Sequence, residues 1–391
     1  VTTYAEAGLS PQRHPHIDAM RGYALLGVIG VHASQNLAGL PQPLRLAADY
    51  GGFSVQLFFV ASALTLMLAR RARGEGGASF LVRRLFRIVP MFWLAIAFYL
   101  WLLGMGPRYA APHGIAFADI AATALLLHGL HPRSINSVVP GGWSIAAECM
   151  FYLLFPALVG RIASLRSALR AFVGATALAV GFAPLATTIA AALAPGEPAY
   201  LFSDFAYFDI VNQLPAFLAG VAAYFAMRRF PLAAPQARLG VALSLAGGAA
   251  LVFAPDWVPK HIAYAACFAV FAVAARNGAG LAVNPPIEWL GVVSYSGYLW
   301  HFAVLKALTS APRWTGPVTQ ALGLDARPAL HFLWLWLMVV GVTLVLASIT
   351  YLTVERPMMA LGGRIARRLQ ARRAAPDAEA AKLTWRPAAP S

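Results

Sequence analysis

The sequence predicts an all-α, polytopic membrane protein, and three observations carry that prediction. Of its 391 residues 60% are hydrophobic and only 12% charged, with a mean hydropathy of +0.65, whereas soluble domains carry about 25% charged residues. Apolar runs of the length that crosses a bilayer, about 17–25 residues, recur along the whole chain. The basic residues behind the net charge of +15 fall in alternate gaps between those runs, as cytoplasmic loops do.

The expected spans are 22–38, 53–69, 88–104, 143–160, 171–192, 208–227, 239–254, 261–275, 289–309 and 328–350. One further apolar run, 118–130, is too short to cross and reads as an extra interfacial or re-entrant helix. Ten spans with a cytoplasmic N-terminus put 23 of the 30 basic residues on the inner side. Treating 118–130 as an eleventh span would send the N-terminus and the basic tail to opposite faces, so the even number stands. The same distribution accounts for most of the positive charge, and a nucleic-acid partner is not expected. Residues 1–16 read as a cytoplasmic segment, 17–360 as the membrane domain, and 361–391 as a basic cytoplasmic tail. That tail is expected to be a short amphipathic turn followed by disorder. Cys149 and Cys267 both lie in spans, so no disulfide framework is implied.

Against this background the ionisable residues inside spans are informative, because lipid makes them expensive. In IDAMRGYALLGVIGVHAS (17–34) Arg21 and His32 are eleven residues apart. That is about three turns plus 20°, which places them on one helical face about 16 Å apart along the axis. Asp18 joins the same side. The segment RRARGEGGASFLVRRLFRIVP (70–90) holds six arginines. It reads either as a loop on anionic lipid or as a phosphate clamp, since Arg84 and Arg87 at i, i+3 can address one anion. In GGWSIAAECMFYLLFP (141–156) Trp143, Ser144, Glu148 and Tyr152 follow one side of a helix. A carboxyl there is either a buried hydrogen-bonded group or a proton donor and acceptor. SYSGYLWH (294–301) places Tyr295, Tyr298 and His301 near the i, i+3, i+6 positions, either as an interfacial aromatic belt or as site residues. YLTVERP (351–357) ends the last span with Glu355, which could pair with the arginines of 70–87.

Together these segments resemble the acyltransferase 3 family of integral membrane acyltransferases. Asp18, Arg21, Gly22 and His32 resemble its opening D-x-x-R-G and R-x10-H signature. FSVQLFFVASA, RRLFRIVP, WSIAAECMFYLLFP, SYSGYLWH and YLTVERP resemble its later segments in the expected order. The resemblance covers about 17–357. Ala63 departs from it, standing where glycine commonly follows the serine, and the fused esterase-like domain of some relatives is not expected from these residues.

The resemblance implies transfer of an acyl group, usually acetyl, from acyl-CoA to a hydroxyl of a carbohydrate-type acceptor such as a surface polysaccharide or lipopolysaccharide. His32 is then the candidate base, Arg21 holds the donor or steadies negative charge, and Glu148 orients His32 or binds acceptor hydroxyls. Arg84 and Arg87, with Glu355, would serve the donor's phosphates. Asp18, Trp143, Ser144, Tyr152, Tyr295, Tyr298 and His301 would bind the acceptor or support the site. No metal and no permanently bound cofactor is expected; acyl-CoA is a substrate. A bacterial cytoplasmic (inner) membrane is the expected home, with both termini cytoplasmic. The rival class is a proton-coupled transporter of a small polar substrate, which buried His, Glu and Arg would also suit. No inverted repeat supports it.

Overall fold

The computed structural model describes residues 14–73, 77–278, 280–310 and 312–384. Among these residues sixteen α-helices run in order: α1 Pro15–Gln35, α2 Gln42–Asp49, α3 Ser54–Arg73, α4 Gly77–Leu103, α5 Phe117–Ala124, α6 Gly142–Arg161, α7 Leu165–Leu193 and α8 Ala199–Phe208. They continue as α9 Ile210–Arg229, α10 Ala234–Ala250, α11 Lys260–Gly278, α12 Pro285–Val292, α13 Ser294–Ser310, α14 Pro312–Ala321, α15 Pro328–Thr350 and α16 Arg356–Thr384. Among the described residues there is no strand, only an isolated bridge between Arg108 and Ala111. An all-α polytopic membrane protein is what the composition predicts.

Among the described residues, seven helical segments, those containing α3, α4, α6, α7, α9, α10 and α15, are long and apolar enough to cross a membrane. The other three expected spans fall on α1, α11 and the α12–α13 pair, which are less uniformly apolar or shorter. Asp18, Arg21 and His32 lie in α1, Lys260 and Arg276 bound α11, and α13 has 17 residues. The run 118–130 becomes α5 and a 3₁₀ turn at His128–Leu130, short as expected.

Local sequence sets several of the ends. Asp209 caps α9 by accepting from the Val211 N–H at 2.6 Å, and Asn284 caps α12 by accepting from Ile287 at 3.1 Å. Pro90, Pro156 and Pro215 lie inside helices that continue past them. Neighbouring helices in a membrane bundle tolerate that.

Three expectations are corrected. Residues 70–90 do not form one loop: α3 runs to Arg73 and α4 begins at Gly77, so that Arg84 and Arg87 lie i, i+3 on its second and third turns. The span expected at 289–309 is broken at Val293, between α12 and α13. The tail is helical beyond residue 360: α15 passes through a π-turn at Tyr351–Glu355 into α16, which reaches Thr384. Packing on α4 holds the first part of this helix. Gly362 lies against Phe86, Ser79 Oγ donates to the Ala366 carbonyl at 3.4 Å, and Arg83 donates to that of Gly363 at 3.5 Å.

The centre of the bundle is α1, surrounded by α3, α12, α13 and α15. Small residues let the backbones close up, as packing without a water-driven force requires. The tightest approach is at Gly291 of α12, where a Cβ would overlap the Asp18 carbonyl. Gly291→Ala should therefore force α12 off α1 and cost about 1–3 kcal/mol or more. Gly341→Ala is the control, since a Cβ there meets nothing within 4 Å. Thermal melts in detergent should show a lowered Tm for the first and an unchanged or raised Tm for the second.

Candidate active site

Five helices, α1, α3, α4, α6 and α13, bring the polar residues of the sequence together inside the bundle. A narrow cavity of about 50 Å³ is lined by Arg21 of α1, Arg84 and Arg87 of α4, Glu148 and Tyr152 of α6, and Tyr295 of α13. It has room for a few waters.

Its basic end is organised by short hydrogen bonds. Arg21 donates to Thr65 Oγ1 at 2.7 Å and to Asp18 Oδ1 at 3.4 Å. Arg84 lies 5.8 Å from the ring centres of both Phe80 and Tyr152, a cation–π distance. Arg87 has Glu148 and Glu355 within electrostatic reach. It makes no direct hydrogen bond or ion pair among the described residues, so its donors remain available to an anion.

The middle of the cavity is held by Glu148. Its Oε1 accepts from Ser62 at 2.5 Å and from Tyr152 at 2.6 Å. Tyr295 donates to the Ile88 carbonyl at 2.8 Å, so it braces α13 against α4 rather than standing in an interfacial belt. Glu355 is buried and accepts from both the backbone N–H and the hydroxyl of Ser296. It thereby fastens the π-turn to the start of α13.

At the far end, Tyr298 donates to the Gly141 carbonyl and accepts from Ser144, both at 3.0 Å. Gly141 has φ +77°, a left-handed conformation that glycine adopts without strain, and it opens α6 at this point. One helical turn beyond Tyr298 stands His301, with its ring 5.4 Å from that of His32. Phe302 covers His32 at 4.3 Å. His301 is fully buried, not interfacial. Its Nδ1 lies 2.6 Å from the Tyr298 carbonyl; a carbonyl only accepts, so Nδ1 carries the proton. The Nε2 lone pair is buried without a partner among the described residues. His32 Nδ1 likewise faces Gln35 Oε1 at 3.0 Å, leaving its Nε2 as the basic nitrogen.

The polar side chains thus form a column along α1 and α13, from three arginines through two carboxyl–hydroxyl clusters to a histidine pair. Of the residues expected from the sequence, Trp143 stands apart. It stacks on Phe208 at 4.4 Å and packs α6 rather than lining the cavity. Glu148 does not orient His32; its bonds run to Ser62 and Tyr152, and Gln35 takes that place. Ser62, Thr65, Ser296 and Gln35 belong to the column without being expected there. Phe58, Ser62 and Thr65 at i, i+4, i+7 trace one face of α3, a fainter signal than an ionisable residue in a span.

Glu148→Ala would leave two hydroxyls without their acceptor and remove a negative charge from beside Arg87. The expected loss is about 1–3 kcal/mol. Ser62→Ala alone should cost less, and the double variant should fall short of the summed losses, because the residues share one bond. Melting temperatures of the four proteins in detergent test this; additive losses would show that the bond carries no stability.

A family model described as an acyltransferase domain, that of the acyltransferase 3 family, matches residues 14–352. Comparison with curated proteins and with solved structures gives no significant match. The matched stretch holds all of the column except Glu355. On that evidence the chain belongs to the acyltransferase 3 family and is a multi-pass membrane acyltransferase.

Proposed function

We propose that the protein transfers an acetyl group from acetyl-CoA to a hydroxyl of a carbohydrate-type acceptor, such as a surface polysaccharide or lipopolysaccharide. One observation supports this reading above others: polar groups lie along α1 and α13 from three arginines to a histidine pair with free basic nitrogens, about 16 Å further along α1. Coenzyme A carries its phosphates at one end and its thioester at the end of a flexible arm, a separation of that order. Arg84, Arg87 and Arg21 would take the phosphates, with Arg87 offering uncommitted donors. The same separation supports donor binding, rather than charge stabilisation at the reacting carbonyl near His32, as the role of Arg21. A cavity of about 50 Å³ admits the arm only when the side chains around it part.

At the histidine end a neutral imidazole is the required base. As the acceptor hydroxyl attacks the thioester carbonyl, His32 Nε2 takes its proton and the C–O bond forms. Collapse of the tetrahedral species breaks the C–S bond, and the imidazolium returns the proton to the departing thiolate. Gln35 holds the His32 ring in the needed tautomer, and His301 and Phe302 fix its plane. Arg21, Arg84 and Arg87 lie toward the basic helix ends, and the distribution of positive charge supports a donor bound on the cytoplasmic side of a bacterial inner membrane. Both termini lie on that side in this reading.

The test is thiol release from acetyl-CoA by purified protein with a panel of glycan acceptors. His32→Ala should lower kcat by about 10²–10⁴, the usual contribution of a general base, while leaving donor binding intact. Arg87→Ala should instead raise the KM for acetyl-CoA with a smaller effect on kcat. Flux of a solute without thiol release, unchanged in both variants, would replace this reading with a carrier.

A further inference from the structure

We infer that the face of α9 turned away from the active site holds one acyl chain of an anionic phospholipid, with its phosphate among arginines at the cytoplasmic rim. The observation is a second cavity of about 330 Å³, within the size range of ligand sites, about 300–1,000 Å³. Ala219, Ala222, Ala223 and Ala226 of α9 form its floor, Ala266 to Ala274 of α11 one wall, and Leu165 to Phe172 of α7 the other. None of its lining residues is charged. It is separate from the polar column: on α9 the opposite face carries Phe217, which stacks on Phe59 and Phe151 at 4.4 and 4.2 Å.

Shape and charge both point to a lipid. Along α11 the wall runs eight residues, about 12 Å, most of the depth of one leaflet of a hydrocarbon core about 30 Å thick. The lips, Leu169 and Val270, are 48% and 47% exposed, so the groove opens sideways to lipid. Its narrowness comes from alanine; bulkier residues would fill it. The end of the groove is formed by the first turns of α7 and α10 and the last turns of α9 and α11. Those turns carry Arg166, Arg170, Arg228, Arg229, Arg238 and Arg276, all exposed. No acidic residue occurs in 161–172, 219–242 or 263–278. Asn277 donates to the Leu232 carbonyl at 3.2 Å, fixing the α9–α10 connection beside the rim. Loop arginines alone would attract any anionic surface. Placed at the mouth of a groove one chain wide, they select a molecule that joins an acyl chain to a headgroup of net negative charge.

The experiment is native mass spectrometry of the delipidated full-length protein, titrated with dioleoyl phosphatidylglycerol and, separately, dioleoyl phosphatidylcholine. Wild type should bind the first about ten-fold more tightly, as several rim arginines near one phosphate imply. Ala226→Leu/Ala269→Leu should fill the groove and abolish that adduct while keeping the wild-type melting temperature without added lipid. Arg166→Gln/Arg238→Gln/Arg276→Gln should bind the two lipids alike. Glycerophosphoglycerol, which has the headgroup without chains, should not bind. Equal binding of both lipids by wild type, a filled-groove variant that keeps the preference, or a lipid-free dimer closing the groove would overturn the proposal.

Discussion

Cations inside an apolar bundle have to be compensated, and the architecture around the site follows from how Arg21, Arg84 and Arg87 are. Insertion scales charge about 2.5–3.5 kcal/mol for one such residue at the centre of a span. Asp18 and Thr65 meet that cost for Arg21, the rings of Phe80 and Tyr152 for Arg84, and the fields of Glu148 and Glu355 for Arg87. Each carboxylate is in turn held by hydroxyls: Ser62 and Tyr152 for Glu148, Ser296 for Glu355. Removing any member leaves another polar group buried without its partner. This is why α1, α3, α4, α6 and α13 must meet at one level, and why the chain breaks at Val293 to bring Ser294 and Ser296 there.

The compensation is incomplete in two places, and both are chemically useful. Arg87 keeps its donors unengaged, and the Nε2 of His301 is buried without a partner among the described residues. A fold that only needed stability would satisfy both. Between them Tyr298, tied to Gly141 and Ser144, separates the arginine level from the histidine level. A donor extending from one to the other has to pass this tyrosine. The proposed chemistry therefore places phosphate recognition and proton transfer at opposite ends of one column, linked by the substrate rather than by side chains.

Much of this is legible in the sequence, for physical reasons. A charge in an apolar span is a strong signal because so few are tolerated, so Arg21, His32, Glu148 and Glu355 stand out. The eleven-residue spacing of Arg21 and His32 puts them on one face by helical geometry alone. Less legible is whatever depends on which neighbour a side chain finds. His301, near a span end, reads either as interfacial or as a site residue, and only its packing against His32 of α1 shows it buried. Trp143 shares a helical side with Glu148 but turns into packing against Phe208. The helical tail is hidden because its composition resembles disordered segments; only the surface of α4, with Phe86 and Arg83, shows what it packs on. Ser62 and Thr65 escape notice because hydroxyls cost little in an apolar helix and so leave a faint mark.

The central claim is that the arginine end of the column receives the donor while transfer occurs at the histidine end. It is tested most directly with protein inserted in one known orientation in sealed proteoliposomes, with radiolabelled acetyl-CoA, which does not cross lipid, supplied on one side at a time. The account predicts thiol release and label transfer only when acetyl-CoA is on the side of the basic helix ends. Equal rates from both sides, or transfer only from the opposite side, would contradict it.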